Sequence, residues 1–365
     1  MNNETRKETQ VLPKDVRYVG ADDLTLPLFE NQYPVQPMGV SYNSYLILDE
    51  KVAVMDSVDA RAADEWLAKL AHELDGRSPD YLVISHMEPD HSGSILRLAE
   101  KYQEMKLVGN TKTFTMLRQF FGASAPANER LVEVGEGGTI SLGAHTLHFM
   151  LAPMVHWPEV MVAYEETEKL LFSADAFGRF GALSRTADAP WAPQARRYYY
   201  NIVGKYGAQV QALLKKASAL EIETICPLHG PVLTGGALAE ALRLYDLWSR
   251  WQSEAPEEIL LAHASIHGNT ARAAELFKQK LEAAGARVTL CDLTATEVSY
   301  AVASAFYCGR LVLACSTYDG GLFPPMEEFL SHLQAKGFRD RSVGLMENGS
   351  WAPAAARLMR AKLEE

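Results

Sequence analysis

The sequence predicts a two-part α/β protein, mixed in its first 250 residues or so and a doubly wound parallel sheet in the remainder. Two observations carry this. Short apolar runs in the first part alternate with helical spacing and then give way, from Arg130 to Phe172, to β-like text punctuated by Gly135, Gly137, Gly138 and Gly143. After Ile259 strands and helices alternate strictly, the pattern of a parallel sheet wrapped by helices.

In the first part, Val52–Asp56 and Tyr81–Ser85 read as buried strands. Arg61 to Leu74 has helical spacing, with Trp66, Leu67, Leu70 and Leu74 on one side, and Ser94–Tyr102 is a second helix. Gly236–Trp251 is a long amphipathic helix, and Ser253–Glu258 reads as a linker, which puts the domains at 1–252 and 257–365. In the second part, Ile259–His263, Arg287–Cys291, Arg310–Cys315 and Ser342–Met346 are strands, and Thr270–Ala284, Met326–Ala335 and Ala352–Leu363 are helices.

Bulk properties narrow the function. A net charge of -11 argues against a nucleic-acid surface, which needs a basic patch. Met1 to Glu8 has no apolar core and reads as no signal peptide, and no run is long enough for a membrane span. Cys226, Cys291, Cys308 and Cys315 are widely spaced without a C-x-x-C, which fits a reducing cytoplasm and excludes a thiolate metal module.

His86-Met-Glu88-Pro-Asp90-His91 sets four metal-ligating side chains within six residues, directly after an apolar strand. Such crowding of carboxylates and imidazoles calls for a cation, and the added carboxylates suit iron or manganese better than a hydrolytic zinc. His156, Asp175 and His229 each stand where an apolar strand breaks into a loop. Alone, each reads as a hydrogen-bonded imidazole or a turn cap. Together with the cluster they give enough ligands for two metals, with Asp175 the simplest bridge.

The second part carries a different set. Ser265-Ile266-His267-Gly268-Asn269-Thr270 follows the first strand and opens a helix, offering hydroxyls and free backbone N–H groups to a phosphate. It lacks the Gly-Lys-Ser/Thr of a nucleotide-binding loop, and a plain helix cap is the alternative. Ser316-Thr317-Tyr318-Asp319-Gly320-Gly321 and Asn348-Gly349-Ser350-Trp351 follow later strands, at the ends where open α/β sheets bind ligands. Tyr318 and Trp351 offer aromatic faces to a flat ring or pack locally.

The run His86-x-Glu88-x-Asp90-His91, followed by His156-Trp-Pro, Asp175-Ala-Phe-Gly and His229-Gly, resembles the metallo-β-lactamase-like domain of the flavodiiron proteins (A-type flavoproteins), and Gly39–Tyr45 resembles that family's early strand. The resemblance implies an αββα sandwich followed by a flavodoxin-like domain that holds FMN on the three loops. It implies one iron on His86, Glu88 and His156, a second on Asp90 and His229, and Asp175 between them. Family members differ on whether the residue at His91 touches metal. A flavodoxin fold also has a fifth strand and closing helix, whereas this sequence supplies four strands before Glu365.

The implied activity is reduction of O2 to water, of NO to N2O, or both. Electrons would come from a rubredoxin or a flavin reductase, in a cytoplasmic head-to-tail homodimer or dimer of dimers. The alternative is a zinc hydrolase of the metallo-β-lactamase fold with a flavodoxin appendage, against which Glu88 weighs, because the hydrolases usually carry His there.

Overall fold

A computed structural model describes residues 12–364. The segment Met1–Glu8, read as no signal peptide, lies outside the described residues. The chain divides into two compact units: one runs to Tyr198 and includes Ala208–Arg243, and the other comprises Tyr199–Gly207 and the chain from Leu244.

The first unit is an αββα sandwich. One sheet orders β1 (Val16–Tyr18), β2 (Tyr45–Ile47), β3 (Ala53–Met55), β4 (Tyr81–Val83), β5 (Lys106–Gly109) and β6 (Leu131–Glu133), antiparallel as far as β3 and parallel beyond it. The other orders β7 (Thr139–Ser141), β8 (Thr146–Leu151), β9 (Met161–Glu165), β10 (Leu170–Phe172), β11 (Thr224–Cys226) and β12 (Leu233–Thr234), with only β10 and β11 parallel. Tyr45, Ile47, Met55, Val83 and Val108 from the first sheet meet Leu147, Phe149, Met161, Ala163 and Phe172 from the second in one buried core. Sheets with one apolar face each must pair face to face in this way. Trp66, Leu70 and Leu74, read from their spacing as one side of a helix, are the buried side of helix Ala63–Leu74.

The second unit has a parallel sheet ordered β14 (Arg287–Asp292), β13 (Ala255–Ala264), β15 (Cys308–Tyr318) and β16 (Ser342–Asn348). Ile259–Ala264 of β13 is buried throughout, as a central parallel strand covered on both faces should be. The strand order is that of a doubly wound flavodoxin-like sheet, with β14 and β16 at the two ends of this order.

Two local readings of the second unit differ from the structure. Ser253–Glu258 is not a linker throughout, because β13 already begins at Ala255, which pairs with Cys308. The charges that suggested a linker are outward strand residues: Glu257 meets Arg310 at 2.6 Å and Glu258 meets Arg287 at 3.1 Å. A helix over Val298–Tyr307, capped by the Glu297 side chain, joins β14 to β15 and was not among the expected elements. It is buried at Ala301, Val302, Ala303, Ala305 and Phe306, so it lacks the polar stripe by which periodicity finds a helix.

Candidate functional site

Each ligand candidate of the first unit stands just past the end of a strand. His86 follows β4, and Glu88 precedes the single helical turn Pro89–Ser92, which carries Asp90 and His91 inward. His156 lies in the loop after β8. Asp175 follows β10 and His229 follows β11, and because those strands run parallel both residues emerge at the same end.

The Gly39–Tyr45 segment fastens the His229 loop. Asn43 Nδ2 donates to the Pro227 and Gly230 carbonyls at 2.8 and 2.7 Å, and Tyr45 Oη donates to Pro227 O at 2.9 Å. Ser41 O accepts from His229 Nδ1 at 2.7 Å. Gly230 has φ +80, and a Cβ there would lie 2.6 Å from Arg179 Cγ, so the turn beyond His229 requires glycine.

The side chains gather into two groups. His86, Glu88, His156 and Asp175 offer ligand atoms that all lie within 4.8 Å of one another, and Asp90, His91 and His229 do the same. Asp175 faces both. Its Oδ2 is 3.5 Å from His86 Nε2 and 3.2 Å from His156 Nε2, while Oδ1 is 3.2 Å from His91 Nε2 and 3.7 Å from His229 Nε2. Glu88 Oε2 lies 3.2 Å from His86 Nε2 and 3.1 Å from His156 Nε2. Asp90 Oδ2 lies 3.3 Å from both His91 and His229 Nε2. His91 therefore falls with Asp90 and His229.

This cluster fits metal. All four carboxylate oxygens of Asp90 and Asp175 are buried without a well-aligned hydrogen-bond donor. His91 and His229 present Nε2 to each other at 3.1 Å. Buried oxygens and ring nitrogens that converge without protons to share need cations between them. Without metal, protons take that place. Burial opposes charge on His86, His156 and His229, but the facing carboxylates outweigh it and push all three up, His156 to about 9. Burial likewise opposes charge on Asp175, and the imidazoles of His91 and His86 hold it well below the usual carboxylate range.

Glu159 and Asp56 had no sequence signal. Glu159 is fully buried, with Oε1 2.7 Å from His86 Nδ1. Asp56 Oδ1 accepts the Ser85 backbone N–H at 2.7 Å, fixing the turn into His86, and burial pushes its carboxyl up to about 6. Aromatic rings wall the cluster: Trp157 lies edge-on to His86 at 5.3 Å, Phe29 to His229 at 5.3 Å, and Tyr198 is 5.5 Å from His229. Tyr198 Oη is buried and lacks a hydrogen-bond partner.

In the second unit, β13, β15 and β16 end side by side, and the three candidate loops leave from those ends. Thr270 Oγ1 and Ser316 Oγ are 2.8 Å apart, and Asn348 Nδ2 donates to Thr270 Oγ1 at 3.3 Å, so one residue of each loop meets there. Gly268 (φ +83) caps helix Asn269–Ala283 with nothing within 4 Å of a Cβ, and Ser265 Oγ is buried without a partner. An open loop, an unpartnered hydroxyl and the N-terminus of a long helix fit a phosphate. Trp351 is 82% exposed and Tyr318 44%, leaving both aromatic faces open beside the loops. Thr317 turns elsewhere: its Oγ1 accepts the Ala354 and Ala355 N–H groups at 2.9 and 3.2 Å.

A model of the ODP family beta lactamases matches residues 40–230. The chain is 27% identical to the rubredoxin-oxygen oxidoreductase of Megalodesulfovibrio gigas over 349 residues, 93% of this chain and 85% of that one. It is also 27% identical to a nitric oxide reductase of Moorella thermoacetica, over 96% of this chain and 88% of that one. The crystal structure of the flavodiiron protein from Giardia intestinalis superposes with a TM-score of 0.90 at 27% identity, covering 97% of this chain and 86% of that one. The family match spans more than half of the sequence, and the fold agreement runs through both units. The chain belongs to the ODP family beta lactamases and, along its length, is similar to flavodiiron proteins.

Proposed function

We infer that this protein is a flavodiiron oxidoreductase that reduces O2 to water, NO to N2O, or both. In this reading His86, Glu88, His156 and Asp175 hold one iron, Asp90, His91, His229 and Asp175 hold the other, and the loops at Ser265–Thr270, Ser316–Gly321 and Asn348–Trp351 hold FMN. The observation that carries it is the reach of Asp175, whose two oxygens face separate pairs of imidazoles at 3.2–3.7 Å. A carboxylate shared in this way would serve both metals. The iron pair supplies multi-electron reduction of a diatomic ligand, and FMN supplies the electrons one at a time.

The chain's own groups set the conditions. Glu88, Asp90 and Asp175 neutralise the metal charge within a buried site. Trp157, Phe29 and Tyr198 keep bulk water from the imidazoles. Burial and the nearby Asp175, Asp90 and Glu88 carboxylates raise the Tyr198 hydroxyl far above its ordinary range, so Oη holds its proton and can donate to a ligand in the site.

The relatives that span both units are named for O2 and NO reduction, which favours this reading over the zinc hydrolase. The rubredoxin in one relative's name supports an external carrier as donor, with a flavin reductase serving the same purpose. The reading includes a head-to-tail homodimer or dimer of dimers, in which one subunit's FMN serves its partner's irons, and a cytoplasmic location. No helix among the described residues is long and apolar enough to cross a membrane.

The test is consumption of O2 and of NO, each added to the anaerobically prepared iron- and FMN-loaded protein with a chemically reduced rubredoxin. Turnover of either gas, lost on chelation of iron, is expected. Binding of two zincs instead, with ester or phosphodiester hydrolysis and no gas consumption, would overturn the reading.

A further inference from the structure

Glu159 stands behind the metal centre rather than in it. It is fully buried, and its Oε1 accepts both from His86 Nδ1 at 2.7 Å and from the Met87 N–H at 2.9 Å. Asn110 Nδ2 donates to the Glu159 backbone carbonyl at 2.5 Å, fixing the residue at the start of β9. An ionised carboxylate only accepts, so in the metal-bound reading His86 keeps its proton on Nδ1 and its Nε2 lone pair is free for a metal beside Glu88 and Asp175.

The two halves of the cluster are not backed alike. His229 Nδ1 leans on a neutral carbonyl, Ser41 O, at 2.7 Å. His91 Nδ1 is buried with no hydrogen-bond partner among the described residues. A full negative charge thus backs the His86 side, while a carbonyl dipole is the support given to His229. Glu159 Oε2 is also buried without a partner, so this carboxylate is not satisfied by the protein alone. A buried carboxylate persists when a strongly polarised donor faces it, and a cation on His86 Nε2 polarises Nδ1–H in that way.

We propose that Glu159 is a positioning residue that makes the two metal positions unequal: through His86 it tightens the position formed with Glu88 and His156 and stabilises the oxidised state of the iron held there. The inference rests on the diiron reading of the cluster. The carboxylate fixes the His86 tautomer and raises its basicity, and a more basic ligand favours the more highly charged iron. The Asp90–His91–His229 position lacks a carboxylate hydrogen-bonded behind either imidazole, so its iron is reduced at higher potential and binds more weakly.

The experiment uses the full chain loaded with FMN and with iron, comparing the unaltered protein with Glu159→Gln, Glu159→Asp and Glu159→Ala. Iron affinity is read by anaerobic equilibrium dialysis, and the two iron reduction steps by potentiometric titration followed by electron paramagnetic resonance and Mössbauer spectroscopy. Gln keeps an acceptor for His86 and Met87 but removes the charge. Two irons should stay bound, with one iron step moved to higher potential and the other in place. Asp keeps the charge and should lie nearer the unaltered protein than Gln does. Ala should weaken one iron site by roughly 10–100-fold, as loss of the group behind a metal-bound imidazole does elsewhere.

Unchanged iron steps in the Gln variant, a shift as large in Asp as in Gln, or full retention of both irons by Ala would each overturn the proposal. If the Gln variant fails to fold by circular dichroism, the Asp and Ala arms decide through iron affinity. Should the unaltered protein bind no iron pair, the diiron reading itself fails. That outcome is distinct from a protein that binds two irons and is indifferent to residue 159.

Discussion

Replacing Asp175 by Asn removes one negative charge while keeping nearly the same shape, and its consequence can be worked out for the metal-free protein. His156 is pushed from 6.5 to about 9 because the Asp175 and Glu88 carboxylates outweigh the burial that opposes its charge. At about 1.4 kcal/mol per unit this shift is worth about 3 kcal/mol, shared between the two carboxylates. His86 and His229 are raised by the same Asp175, so the variant should lose about 3–5 kcal/mol, the range for removing one member of a buried ion pair.

The sign with pH follows directly. A raised imidazole stabilises the fold fully below its unfolded value of 6.5, and that contribution disappears as pH rises through about 9. The Asn penalty should therefore be largest near pH 6 and much smaller near pH 9.5. Urea denaturation of chelated protein at the two pH values, the variant against the unaltered chain, reads it out. An equal penalty at both, or a larger one at high pH, would refute this electrostatic account.

Further outcomes follow from the same geometry. Because His156 at about 9 and the raised His86 and His229 hold protons at neutral pH, metal uptake by the chelated protein should release protons and tighten as pH rises from 6 to 8, as a pH-stat titration measures. Asn43→Ala strips the donors from two buried carbonyls beside His229 and should cost about 2–4 kcal/mol, with metal lost first from the Asp90–His91–His229 group in a metal-retention assay. Trp351→Ala, at an 82% exposed position, should change stability by less than about 0.5 kcal/mol while weakening FMN binding, read by flavin fluorescence. Thr270→Val removes the hydroxyl that joins Ser316 and Asn348 and should cost both FMN affinity and about 1–2 kcal/mol of stability in the same measurements.

The side chains that the fold gathers into the cluster were legible because the chemistry is local where it starts. His86 to His91 crowds unlike ligands into one turn, and each distant partner stands at a strand end that periodicity can find. Glu159 was not legible. It lies 73 residues from His86, and only the seating of β9 against the turn after β4 brings them together. Asp56 was hidden for the same reason, since burial and the backbone it holds define it and no motif marks it.

The second unit shows the limits of pattern. Its central strand was found from an unbroken apolar run, but the charged start of that strand read as a linker, because Glu257 and Glu258 find Arg310 and Arg287 only once the neighbouring strands are placed. Helix Val298–Tyr307 escaped because it is apolar on most sides. Nothing in Tyr199–Gly207 marks it as part of the same compact unit as the residues from Leu244 on. Tyr200 stacks on Phe306 at 3.9 Å, a contact between positions more than a hundred residues apart.

The central claim is tested most directly by anomalous diffraction at the iron absorption edge from crystals of protein purified without air. Two peaks are predicted, one among His86, Glu88 and His156 and one among Asp90, His91 and His229, with Asp175 touching both. A single peak, or density that answers at the zinc edge instead, would contradict it.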